Sequence, residues 1–247
     1  MKIKIIIPFL ALFIWPQFLW ALTGREIMEQ SDKLPTATTA QAEMQMDIHK
    51  GKRVDTKEFT IFSKSYDNDE DKTLLSFQKP TRIQLLTHTH KGREDDQWLV
   101  LSSGRVKRIA AGDKGKPFVH SHFYYEDLSG RDIDDFDYKY IGDEKINNDD
   151  FYKVESTRKA EKEKVYDKAI LYVRKSDFFI VRVDLFQKGQ LHKILENHDI
   201  KKIDGILTPF RAVMSMTDGT GRTELQVIKV TYNKAIEDSK FNKEALR

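Results

Sequence analysis

The chain has 247 residues, 33% of them charged, with a formal net charge of only +3. So balanced a charge argues against a dedicated nucleic-acid binder. The absence of cysteine excludes disulfide staples and the lipid-modified cysteine of a bacterial lipoprotein, so stability must come from a buried core.

Residues 1–21 open with Lys2 and Lys4, run apolar from Ile5 to Ile14 and end at Leu19-Trp20-Ala21. Pro8 and Pro16 interrupt the run, and its continuous apolar part is shorter than the roughly 20 residues that span a bilayer. The pattern predicts a secretory signal peptide cleaved near Ala21, with retention as an anchor the alternative. Losing Lys2 and Lys4 brings the formal charge to +1 and leaves 226 residues. That length suffices for one large domain, 22–247, and no internal repeat or flexible linker divides it.

The mature chain begins with a predicted helix. Thr23 stands three residues before Glu26 in the spacing of a capping box, and Ile27 and Met28 can face inward. From residue 42 onward the signal is alternation with period two. "AEMQMDIH" sets Met44, Met46 and Ile48 on one face, and "KEFTIFSKSY", "KTLLSFQKP" and "TRIQLLTHTH" follow the same rule. "DQWLVLSSGRVKRIAA" reads as a hairpin turning at Ser103-Gly104. After a charged middle, residues 168–233 supply about five more strands. Their turns fall at Lys175-Ser176-Asp177, Lys188-Gly189, Asp204-Gly205 and Asp218 to Gly221. Ten or eleven short strands in series predict an antiparallel meander with one buried and one solvated face, curled around helices or a cavity.

These features occur in a telling order. A helix and a meander lead to the hairpin "WLVLSSGRVKRI", then to "HSHFYYEDLSGRDIDDFDYKYIG", "DGILTPFRAVMSM" and a closing "IEDSKFNKEAL". The most distinctive part is a Trp-bearing strand and a basic hairpin followed by Tyr124-Tyr125-Glu126-Asp127-Leu128. The combination resembles the LolA-like outer-membrane lipoprotein-sorting protein family over nearly the whole mature chain. The resemblance implies a mainly β (α+β) fold, an incomplete antiparallel barrel over helices. It also implies a periplasmic monomer that carries lipid or the acyl chains of lipoproteins, without catalysis or cofactor. Its partners would be an inner-membrane exporter, of RND type in a close variant, and an outer-membrane acceptor.

An acyl-chain site needs apolar and aromatic walls with few directional groups. The residues expected to line it are Met44, Met46, Phe59, Ile61, Ile83, Leu85, Trp98, Leu101, Phe123, Tyr125, Val181, Val183 and Met214. Methionines suit such a wall because they adapt to irregular cargo. Arg105, Lys107 and Arg108 are candidates to meet headgroups or a membrane surface. Phe123 and Tyr125 read either as cavity rim or as core, and buried aromatics more often serve as core. The following "SGRDIDDFDYKY" reads as a connection or short helix capped by Ser129.

A different class of function attaches to two H-x-H pairs, His88/His90 and His120/His122. On strands such pairs present both rings to one face, as zinc ligation requires. A metal-dependent envelope enzyme built on them is one alternative to the carrier, and an envelope-stress sensor or scaffold on the same fold is the other. No G-x-S-x-G, cysteine or glycine-rich phosphate loop points to any other chemistry.

Overall fold

A computed structural model of the protein describes residues 22–66, 70–79, 81–159 and 165–246. The predicted signal peptide, 1–21, lies outside the described residues. Helix α1, Gly24–Asp32, is capped as its sequence predicts: the Glu26 N–H donates to Thr23 Oγ1, and Glu26 Oε2 accepts from the Thr23 N–H. Thirteen strands follow. They are β1 (Thr39–Lys50), β2 (Arg53–Tyr66), β3 (Glu70–Lys79), β4 (Ile83–His88), β5 (Asp96–Val100), β6 (Val106–Arg108) and β7 (Phe136–Ile146). The remainder are β8 (Asp149–Arg158), β9 (Lys168–Arg174), β10 (Ile180–Gln187), β11 (Gln190–Ile203), β12 (Ile206–Met216) and β13 (Arg222–Tyr232).

All belong to one antiparallel sheet ordered β6-β5-β4-β3-β2-β1-β13-β12-β11-β10-β9-β8-β7. Two meanders, β1 to β6 and β7 to β13, are thus joined along the β1/β13 seam, with pairs such as Met46 with Leu225. The sheet curls without closing, because its edges β6 and β7 do not pair. It is an incomplete barrel. The chain between these edges, residues 109–135, is the sole link from β6 to β7, and it crosses the concave face.

Parity along each strand decides which side chains meet that face. On β5, Gln97 and Leu99 point inward, whereas Trp98 and Val100 point to the convex side. Inward residues of β1 to β5 (Met46, Ile48, Phe59, Leu75, Phe77 and Leu85) form a core with Phe118 and Tyr125 of the crossing segment. Inward residues of β8 to β12 (Val154, Ala169, Leu171, Val173, Leu185 and Met214) form another with Ile27, Met28 and Phe123. Burying Ile27 and Met28 contributes about 1.5–3 kcal/mol each. The helix can sit so low because residue 24 is glycine: a Cβ there would lie 2.6 Å from the Tyr140 nitrogen.

Three expectations are corrected. The charged middle holds β7 and β8, so the strand count rises to thirteen, and Ser129 closes a 3-10 turn at Glu126–Leu128 instead of opening a helix. The convex face is not wholly solvated. Ile236, Phe241 and Leu246 of the C-terminal segment cover Phe62, Leu74, Leu86, Trp98 and Val100.

Candidate functional site, an apolar cavity under the crossing segment

The crossing segment is pinned at several points. Near its start a tight turn reverses the chain, with Ser121 N–H donating to the Phe118 carbonyl and Phe118 N–H to the Phe123 carbonyl. Val119 and His120 take φ of 44° and 66° there, a left-handed geometry that costs a β-branched residue most. His122 is held on β13 by Thr223, whose Oγ1 accepts its backbone N–H (2.9 Å) and lies 2.8 Å from Nδ1. The Gln97 amide donates to the Tyr125 carbonyl at 3.1 Å.

The strongest anchor surrounds Lys193 on β11, which is fully buried. Its Nζ donates to Asp127 Oδ2 (3.2 Å) and Tyr166 Oη (3.0 Å), and lies 2.9 Å from the centre of the Tyr124 ring. Asp127 also accepts from the Tyr124 N–H and the Tyr166 hydroxyl, both at 2.7 Å. Burial pulls the Lys193 ammonium down to about 8, against the opposing pull of Asp127. The same burial, with Asp127 beside it, pushes the Tyr166 phenol up.

Phe118 and Tyr125 fill the concave face of the first meander, their rings 5.7 Å apart and Phe118 likewise 5.7 Å from Phe77. Over the second meander the segment stands off the sheet and leaves an apolar cavity of about 210 Å³. Ala169, Val183, Leu185, Leu195, Met214 and Phe123 are its apolar lining. At its mouth Arg158 pairs with Glu126 at 3.0 Å, and burial raises the Glu126 carboxyl while Arg158 opposes it. A second apolar recess, about 420 Å³, opens at the far end of the first meander between Ile83, Leu99, Leu101, Val119 and Tyr125.

The sequence candidates separate accordingly. Phe123, Val183 and Met214 line the cavity, and Ile83, Leu101 and Tyr125 line the recess. Met46, Phe59 and Leu85 are buried in the filled core, with Met44 and Ile61 packed against it. Trp98 lies on the opposite face, as its parity on β5 requires. Val181 adjoins an irregularity in the β9/β10 pairing, where Ile180 packs inward. Arg105 is exposed in the β5/β6 turn, Lys107 pairs with Asp113, and Arg108 pairs with Asp96.

The histidine pairs do not converge. His88 faces the convex side, where Nε2 lies 2.9 Å from the Phe241 carbonyl, while His122 is on the concave side with Thr223. His90 lies between Glu70 and Asp96, and His120 is exposed. Among the described residues no three His, Asp or Glu side chains gather as a metal site. Sequence reasoning missed Leu185, Leu195, Ala169 and the Lys193 anchor. Leu185 shares the parity of Val183, which was a usable signal; nothing local marked Lys193.

A family model described as "Uncharacterized protein" matches residues 69–247. No curated protein matches the chain. Among solved structures, a DUF1329 family protein from Desulfovibrio piger is 27% identical with a TM-score of 0.87, covering 91% of this chain and 98% of that one. A proposed outer membrane lipoprotein-sorting protein domain from Vibrio parahaemolyticus is 29% identical with a TM-score of 0.85, covering 90% and 97%. A LolA superfamily protein from Nitrosomonas europaea shares the fold at 19% identity, with a TM-score of 0.71 and coverage of 92% and 100%. With that model matching most of this chain, the chain belongs to this uncharacterized family, and its fold is LolA-like.

Proposed function

We propose that the protein is a periplasmic carrier that takes up an acyl chain of a lipid or lipoprotein in the cavity beneath the crossing segment. One observation carries the reading: under the crossing segment the concave face is filled over the first meander, which keeps a recess only at its far end, and is left open with an apolar lining over the second. Burial of a chain there gains roughly 0.8 kcal/mol per methylene, so affinity needs no reactive group. The likeness to a domain named for lipoprotein sorting supports the same reading.

In this proposal residues 1–21 direct export and are removed, and 22–247 act as one non-catalytic unit. An inner-membrane donor, such as an RND-type exporter, loads it and an outer-membrane acceptor unloads it. Arg105, beside the exposed Leu101 and Val106, is its membrane-facing contact, with Lys107 and Arg108 adjoining. The test is displacement of a fluorescent fatty-acid probe. Wild type is expected to bind at micromolar concentration and Val183→Asp to lose binding with its far-UV circular dichroism intact, because a carboxylate among Leu185, Leu195 and Met214 must be desolvated or draw in water. A folded wild type that binds no fatty acid, detergent or acylated peptide overturns the proposal.

A further inference from the structure

The apolar cavity has a polar neighbour. Its wall residues Ser129, Gly130, Arg131 and Arg158 also line a polar cleft of about 570 Å³ between the crossing segment and the β3/β4 end of the sheet. An apolar chamber sharing a wall with a polar cleft has the division of an amphiphile, tail inside and head at the shared wall.

The charges at that wall are nearly all compensated. Glu126 is paired with Arg158, Asp127 with Lys193, and Lys168 with Glu155. Among the described residues Arg131 is the one charged residue of the cavity with no ion pair to a carboxylate. Its guanidinium stacks on Phe136 at 4.4 Å and donates through Nη2 to Ser156 Oγ at 2.7 Å. Arg158 flanks the same ring at 5.1 Å, so Phe136 holds two guanidinium groups beside the mouth. A guanidinium carries five N–H donors in a planar fork suited to an oxyanion, and here Ser156 and the Tyr138 phenol engage only part of it. Further out, carboxylates such as Asp95, Asp132 and Asp134 outnumber the cations Lys91, Arg93 and Lys114 in the lining of the polar cleft, and Asp134 is itself held by Arg25. An extended polyanionic head would meet these acids, whereas a compact one would stop at Arg131.

Size restricts the tail. An engineered apolar cavity of about 150 Å³ accepts a single benzene, so 210 Å³ accommodates part of one chain and not a bundle of several. From cavity, wall and charge together we infer that the site takes a single-chain amphiphile with a compact oxyanion head, carboxylate or phosphate, bound at Arg131. This rests on the carrier reading and narrows its cargo.

The test is calorimetric titration of the mature protein with four ligands of equal tail length, below their micelle concentrations: dodecanoate, dodecyl phosphate, dodecyltrimethylammonium and dodecyl maltoside. Dodecanoate and dodecyl phosphate are expected to bind one per chain, at least tenfold tighter than the other two. Arg131→Gln, at unchanged unfolding temperature, should erase that preference and leave dodecyl maltoside unaffected. Arg131→Lys, which keeps the charge without the fork, should restore part of it. Inorganic phosphate alone should bind at least a hundredfold more weakly than dodecyl phosphate; equal affinity would make the site one for free phosphate and overturn the inference. Equal affinity for all four amphiphiles, unchanged in Arg131→Gln, overturns the head-group assignment and leaves the carrier standing. Binding of none of them by the folded protein overturns this inference, and if an acylated peptide also fails to bind the carrier reading falls with it.

Discussion

The two meanders present the same kind of inner surface and end differently. Both alternate apolar and polar residues, and both point their apolar set at the concave side. Over β1 to β5 the rings of Phe118 and Tyr125 complete a close-packed core with a recess only at its far end; over β8 to β12 the chain is pinned through the Lys193–Asp127–Tyr166 anchor and a cavity remains beside it. Strand alternation therefore fixes which side chains are inward, while the elements laid across the sheet decide whether that surface becomes core or binding site.

The largest expected effect breaks the filled half. Phe118 is fully buried, and Phe118→Ala should cost about 3–5 kcal/mol in urea unfolding. Val183→Ala at the cavity wall should cost about 1 kcal/mol, since few atoms face it across the void. Similar costs at the two sites would mean that the halves are packed alike. Lys193→Met should cost about 3 kcal/mol by stranding Asp127 in the interior, and it should loosen fatty-acid binding by freeing the segment over the cavity. Gly24→Ala should cost about 1–3 kcal/mol, because α1 must lift from the Tyr140 backbone. Hydrogen exchange would show this as lost protection in α1.

Two pH responses sharpen the contrast. Lys193 binds its proton less tightly when folded, at about 8 against 10.5, so between those values the unfolded chain holds more protons and stability rises with pH. Lys193→Met should lack that rise in urea titrations. Burial lowers His88, His122 and His192 below 6.5, so their contribution is present above 6.5 and is lost as pH falls through their folded values. Replacing His122 by Asn should flatten the acid limb of the stability profile. The smallest effect belongs to the left-handed turn: His120→Gly should stabilise by about 0.5 kcal/mol, read as a small rise in Tm, since φ of 66° suits glycine and the side chain is exposed.

The capping box, the strands β1 to β6 and the turns of β9 to β13 were legible because each is written in local spacing. The strand β7 was legible in principle, for Phe136, Tyr138 and Tyr140 alternate with Asp137 and Lys139, but the run of acids just before it imitates a loop. Trp98 and Leu99 show the limit of composition: adjacent, both apolar, and on opposite faces. The anchor was not legible, because Lys193 reads as one more solvated strand lysine until Asp127 and Tyr166, far apart in sequence, close around it. Cavity and core use the same residue types, so only the path of residues 109–135 tells them apart.

The central claim is that cargo enters the second meander and not the first. Methyl chemical-shift mapping during titration with dodecanoate tests it most directly. The account predicts shifts at Val183, Leu185, Leu195 and Met214, with Met46, Leu75 and Leu85 unmoved. Shifts confined to Met46, Leu75 and Leu85, or none at saturating ligand, would contradict it.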